Sequence, residues 1–119
     1  MKKSASLFLI EKFSQKLQER LGKKIIEIRL FGSKATGRDH KGSDIDLLVV
    51  LDKKNREAED IIVDLELEMM EKYDYEPYFS ALVFEKEEFS RLNKLKTNFM
   101  LNVAEEGITI WKSEEARRI

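Results

Sequence analysis

The sequence has no cysteine, one proline and one histidine in 119 residues. Without cysteine, disulfide bonds and thiolate metal sites are excluded. The single histidine, His40, cannot build a zinc site of several histidines. The chain also lacks an apolar run long enough to cross a bilayer, and its first residues carry no small-residue cleavage site. We therefore expect a cytoplasmic protein without a membrane segment or a secretory signal.

The sequence also lacks a surplus of either charge, since its 22 basic and 23 acidic residues leave a net charge of −1. Generic nucleic-acid binding needs a basic surplus that displaces counterions from the phosphates, so we exclude it. Any polyanion should be small, held at a local site and bridged by a metal. The length predicts a single domain over 1–119, with a core over 5–111 and an exposed charged tail over 112–119.

The spacing of apolar residues predicts alternating helices and strands. The predicted helices cover 4–21, 58–73 and 85–106, the last in one or two pieces, and the predicted strands cover 25–31, 45–51, 78–84 and 108–111. In the first strand Ile26, Ile28 and Leu30 share one face, whereas the second is apolar throughout and should be covered on both faces. This order predicts an α/β (α+β) fold in which helices pack against a small mixed β-sheet.

The loop between the first two strands carries the residues with chemical potential. Gly32-Ser33 closes the first strand and Asp44-Ile45-Asp46 opens the second, with ten residues between Ser33 and Asp44. Side chains alternate along a strand, so the two aspartates share a face about 6.5–7 Å apart. Such hard oxygen ligands suit magnesium. Gly32 lets the backbone approach a phosphate closely, so the pattern is typical of nucleotidyl transfer.

The segment FGSKATGRDHKGSDIDLLVV resembles the minimal nucleotidyltransferases of the DNA polymerase beta-like superfamily, strongly over 26–51 and more loosely beyond. The resemblance implies a nucleotidyltransferase-type fold that moves AMP from ATP, with Mg²⁺ or Mn²⁺, onto an acceptor hydroxyl. Asp44 and Asp46 would hold the metal. The residues that would hold the nucleotide are Gly32, Ser33, Arg38 and Ser43. The implied partner is a HEPN-domain toxin with a tyrosine acceptor, and self-assembly or assembly with that partner stays open.

The chain departs from the family pattern at the third carboxylate. Alignment of the stretch FSALVFEKEEF, over 79–89, places Ser80 where active members carry that acid. A serine hydroxyl is a poor metal ligand and cannot act as the general base. Glu76 is the candidate replacement, and Glu85, past the far end of the strand, is a weaker one. The alternative function is therefore a catalytically weak or inactive antitoxin-like subunit that binds a nucleotide or a partner.

Several further hypotheses remain open in the sequence. Lys34 and Arg38 would neutralise the triphosphate or simply be solvated. Tyr73, Tyr75, Tyr78 and Phe79 would stack on a base or pack at the sheet edge. Transfer to a small molecule such as an aminoglycoside usually needs an additional acceptor-binding domain, and general DNA synthesis is disfavoured by the size and the neutral charge. The sequence leaves the acceptor and the base preference open.

Overall fold

A computed structural model of the chain describes residues 5–32, 35, 44–73 and 78–117. After the first helix, a short 3₁₀ turn at Gly22–Lys24 leads into the sheet. The helices are α1 (Ala5–Leu21), α2 (Arg56–Lys72), α3 (Lys86–Leu95), α4 (Asn98–Glu106) and α5 (Glu114–Arg117). The strands are β1 (Ile25–Phe31), β2 (Ile45–Leu51), β3 (Phe79–Glu85) and β4 (Ile108–Lys112). The predicted order of elements is confirmed, with the stretch after β3 divided into two helices.

The four strands form one mixed sheet in the order β3-β2-β1-β4. Strand β1 pairs antiparallel with both β2 and β4, whereas β2 pairs parallel with β3. A parallel pair needs a crossover connection, which α2 supplies. The predicted mixed α/β architecture is thus confirmed, and β2 lies in the interior of the sheet.

Helices α1 and α2 cover the first face of the sheet. The residue that caps the N-terminus of α2 is Asn55, whose side chain accepts a hydrogen bond from the Ala58 backbone N–H at 2.8 Å. Such a cap satisfies a donor that the first helical turn leaves without a partner. The fully buried side chains on this face include Phe13, Leu17, Ile28, Leu47 and Ile62. This packing forms the larger of two apolar clusters.

Helices α3, α4 and α5 cover part of the second face, where Leu48 and Val50 are buried together with Val103. Arg29 fastens α4 to this face. Its guanidinium donates a hydrogen bond to the Val103 carbonyl at 2.9 Å and another to the Ala104 carbonyl at 3.4 Å. It also pairs with the carboxylate of Glu27 at 2.7 Å. A positive charge at the C-terminal end of a helix complements the helix dipole, so Arg29 stabilises the position of α4 over β1.

Two predictions about these elements are wrong. Ile26 does not share a face with Ile28, because the pairing of β1 with β2 shifts register between Ile25 and Glu27 and turns Ile26 toward the second cluster. Such an irregularity re-aims the side chains that precede it.

The C-terminal residues were expected to be exposed, yet Ala116 is buried in the second cluster. The Ser113 N–H donates to the Ile26 carbonyl at 2.9 Å, and the Ser113 hydroxyl accepts from the Ala116 N–H at 3.1 Å. These two bonds fold α5 back onto the sheet. Across the described ranges, no helix has the length and apolar character that crossing a membrane requires.

Candidate active site

The end of β1 and the start of β2 bring two site residues into close approach. Gly32 follows β1 with a φ of +77°, and its carbonyl accepts a hydrogen bond from the Ala35 N–H at 3.1 Å. A Cβ atom added to Gly32 would lie 2.5 Å from Oδ2 of Asp46. Both the backbone conformation and the neighbouring carboxylate therefore require glycine. The result is bare backbone directly beside an acidic side chain.

The second acid of the site, Asp44, lies close enough to Asp46 for their charges to interact. Asp46 is half-buried in β2, and Asp44 is exposed just before that strand begins. Burial raises the pKa of Asp46, and the charge of Asp44 raises it further. Two neighbouring carboxylates that repel each other are oxygen donors of the kind that a hard divalent cation prefers. The chemistry of the pair therefore fits magnesium or manganese.

Ser80 lies beside Asp46 on the neighbouring strand. The parallel register pairs the two residues directly, and Ser80 is exposed. Residues paired across neighbouring strands present their side chains on the same face, so a neutral hydroxyl occupies the position next to the acid pair. Among the described residues, no group of three or more histidine, cysteine, aspartate or glutamate side chains converges to hold a metal.

Most of the other predicted site residues are not among those that the structure describes. Ser33, Lys34, Arg38, Ser43 and Glu76 fall outside the described residues, so their roles stay predictions. The one alternative acid that is described is Glu85, which pairs with Leu51 at the opposite end of the strand from Asp46. Its side chain forms a capping box with Glu88 at the start of α3. The structure therefore gives Glu85 a structural role away from the acid pair.

The aromatic residues proposed to stack on a base or pack at the sheet edge have different environments. Phe79 packs against Phe13 with ring centroids 5.1 Å apart and is buried on the first face, which supports the packing hypothesis. Tyr73 packs against the same cluster, Tyr78 is exposed and Tyr75 lies outside the described residues.

Sequence reasoning missed Phe31, which pairs with Asp46 across β1 and β2 and contacts Phe99 of α4. Because side chains alternate along a strand, the sequence already indicated that Phe31 lies on the opposite face of β1 from Leu30. The identity of its cross-strand partner, however, depends on a register that the sequence does not reveal.

The chain belongs to the nucleotidyltransferase domain family, which matches residues 10–110. Within that class it is similar to a protein named as a protein adenylyltransferase from Methanocaldococcus jannaschii, with 35% identity over 68 residues. That match covers 55% of this chain and 46% of the relative. The chain thus spans less than half the length of the curated relative it matches.

Solved structures show the same fold. A spectinomycin adenyltransferase from Enterococcus, crystallised with ATP and spectinomycin, has a TM-score of 0.69 at 15% identity, and the match covers 94% of this chain and 58% of that one. A complex of tri-AMPylated Shewanella oneidensis HEPN toxin with its MNT antitoxin has a TM-score of 0.50 at 19% identity, covering 93% of this chain and 76% of that one. The predicted nucleotidyltransferase-type fold is confirmed.

Proposed function

We propose that the protein transfers a nucleotide, AMP from ATP, onto an acceptor hydroxyl in the presence of Mg²⁺ or Mn²⁺. The observation that carries the proposal is the approach of Gly32 to the Asp46 carboxylate in a chain of the nucleotidyltransferase family. The name of the Methanocaldococcus relative supports adenylyl transfer to a protein. The AMPylated HEPN toxin in the Shewanella complex supports a HEPN-domain acceptor. The reaction would take place in the cytoplasm, where ATP is abundant.

Asp44 and Asp46 would hold the metal ion, which supplies charge neutralisation for the triphosphate and the developing negative charge. Gly32 has no side chain, so its backbone would approach a metal-bound phosphate closely beside these carboxylates. We assign Ser33, Arg38 and Ser43 to phosphate contact, as the family resemblance implies. The acceptor oxygen would form a bond to the α-phosphorus while the bond to pyrophosphate breaks.

This mechanism needs a base that removes the proton from the acceptor hydroxyl. Ser80, beside Asp46, is not a base at neutral pH, so it cannot take the proton from the attacking hydroxyl. Turnover would therefore be slow unless the partner or the acceptor contributes a base. The same observation favours a second candidate function, in which the protein binds a nucleotide and a HEPN-domain partner without catalysis.

One experiment separates the two functions. The protein is incubated with ATP labelled on the α-phosphate, Mg²⁺ or Mn²⁺, and the protein encoded by the neighbouring gene, which the proposal predicts to contain a HEPN domain. We expect label on the partner with the wild type and none with the D44N/D46N double variant. Asp64→Asn is the matched control, because Asp64 is an exposed acid on α2. Measurable Mg-ATP binding without any transfer would overturn the enzymatic proposal and support the second candidate.

A further inference from the structure

An aromatic pair lies beside the candidate active site, on the face of the sheet that carries Asp46. Phe31 is the last residue of β1 and the antiparallel partner of Asp46. Its ring meets the ring of Phe99 edge to face, with centroids 5.5 Å apart and planes at 85°. Phe99 belongs to the first turn of α4 and is 40% exposed. A large apolar ring thus contacts solvent on the face of the sheet that carries Asp46.

The position of Phe99 is fixed from both ends of α4. At the N-terminus, the Thr97 hydroxyl accepts a hydrogen bond from the Met100 N–H at 3.2 Å. At the C-terminus, Arg29 donates to two carbonyl groups of the helix. Arg29 and Phe31 belong to the same strand, so the strand that carries the aromatic partner of Phe99 also anchors the helix. A ring positioned in this way loses little conformational freedom when a ligand binds.

The location of Phe99, rather than its exposure alone, indicates a ligand, because single exposed apolar side chains are common. The register places three side chains side by side on one face of neighbouring strands, in the order Ser80, Asp46, Phe31. Ser80 marks the β3 side of the acid pair, and the aromatic pair lies on the β1 side. Gly32 follows Phe31 directly, so the proposed phosphate site and the aromatic pair lie on the same side.

We propose that Phe99, supported by Phe31, forms the wall on which the base of the bound nucleoside triphosphate stacks. This inference rests on the proposed nucleotide site. Phe31 is the cross-strand partner of Asp46, and its ring contacts the Phe99 ring at 5.5 Å. The Phe99 ring is therefore separated from Asp46 by the Phe31 side chain alone, and the ribose of a bound nucleotide would bridge the two. An aromatic acceptor is the less favoured occupant, because its hydroxyl would lie beside the position expected for the base, which is Ser80 on the β3 side of Asp46.

A stacking wall makes a specific prediction about base preference. Every base offers a π-face, so stacking tolerates all four bases and favours the larger purine rings. We therefore expect ATP and GTP to bind more tightly than CTP and UTP. Substitution of Phe99 by alanine should remove most of this difference.

The test compares binding of Mg-ATP with binding of Mg-tripolyphosphate, which has phosphates but no base, by calorimetry. We expect Phe99→Ala to weaken Mg-ATP binding about tenfold, within the range of about 5-fold to 150-fold that stacking on an aromatic side chain contributes. Binding of Mg-tripolyphosphate should stay unchanged. Phe99→Trp should restore Mg-ATP binding. Leu101→Ala is the matched control, because Leu101 is similarly exposed on the same helix, and it should alter neither ligand.

The outcomes distinguish this inference from the proposed function. If the wild type binds neither ligand, the nucleotide site itself is wrong and the base subsite fails with it. If the wild type binds both ligands and Phe99→Ala changes neither affinity, only the base subsite is wrong. Equal weakening of both ligands by Phe99→Ala would show that Phe99 supports the phosphate site structurally, which also overturns the stacking proposal.

Discussion

Two features of Gly32 require glycine, its backbone conformation and its close approach to Asp46. A side chain added there should affect stability through the first and ligand binding through the second. The positive φ makes any L-residue unfavourable, and the nearby Asp46 carboxylate leaves no room for a Cβ. We expect Gly32→Ala to cost about 1–2 kcal/mol in the free energy of unfolding, because of backbone strain. Displacement of Asp46 should also abolish Mg-ATP binding, as measured by calorimetry.

Gly22 provides the control for this substitution. It too has a positive φ, of +54°, but no atom of the described residues, apart from its neighbours in the chain, lies within 4 Å of an added Cβ. Gly22→Ala should therefore show a similar loss of stability in denaturant unfolding and retain Mg-ATP binding. Unchanged Mg-ATP binding in Gly32→Ala would contradict the placement of the site.

Ser80 occupies the position at which a third carboxylate would join Asp44 and Asp46. Its side chain lies beside Asp46 in the parallel register and is exposed, so an acidic side chain fits there without burial. We expect Ser80→Asp to tighten Mn²⁺ binding and to raise the rate of label transfer at least tenfold, because it adds a metal ligand and a base. Ser80→Asn introduces a side chain with the shape of aspartate but without its charge, and it should produce neither effect. Equal results for the two variants would show that charge at this position is unimportant.

At the scale of elements, Glu66 links α2 to the edge strand β3. Burial raises the pKa of Glu66 from an ordinary 4.5 to about 7, although a hydrogen bond to the Ala81 backbone partly opposes the shift. The folded protein therefore binds a proton that the unfolded chain has released between these two values. The sign follows directly, because the free energy of unfolding must fall as the pH rises through this window.

We expect Glu66→Gln to remove this pH dependence, because glutamine keeps an oxygen acceptor for the Ala81 N–H but does not ionise. Its stability relative to the wild type should rise between about pH 5 and 7.5, by on the order of 2 kcal/mol. The measurement is urea unfolding at several pH values. Glu71→Gln, an exposed change on the same helix, should follow the wild type. If the difference in stability between Glu66→Gln and the wild type stayed constant across this pH range, Glu66 would not be the group that titrates there.

Arg29 joins β1 to α4, and its removal would leave Glu27 without its partner. Glu27 is only 8% exposed. An ion of a buried pair that loses its partner is strongly destabilising, so we expect Arg29→Met to cost about 3 kcal/mol. Lys16→Met removes a more exposed ion pair, with Glu68, and should cost less than about 1 kcal/mol. Thermal unfolding compares the two variants, and similar losses would argue against a special role for Arg29.

At the scale of the whole molecule, the sequence predicted the element order, the mixed sheet and the candidate acid pair because local periodicity and spacing carry that information. It did not predict the face on which Ile26 packs or the burial of Ala116, since both depend on a register shift and on long-range hydrogen bonds. The aromatic neighbour of Asp46 was missed for the same reason. Strand pairing, rather than local preference, determines these positions.

The balance of charge leads to a prediction for the whole molecule. With 22 basic and 23 acidic residues, the protein has no surplus that would attract a polyanion over a wide surface. We expect no shift of a random DNA duplex in a gel assay at micromolar protein and low salt, where electrostatic attraction is strongest. Binding that weakens steeply with added salt would contradict the restriction of polyanion recognition to a local site.

Strand β2 carries Asp46 and is paired on both sides, and the rest of its side chains are buried. Segments with this much burial and backbone pairing open last in native proteins, whereas edge strands open more readily. Amide hydrogen exchange should therefore be slowest in β2 and faster in β3, which carries Ser80. The aspartate thus lies on the part of the fold that fluctuates least, and the spacing of the site would survive local opening elsewhere in the sheet.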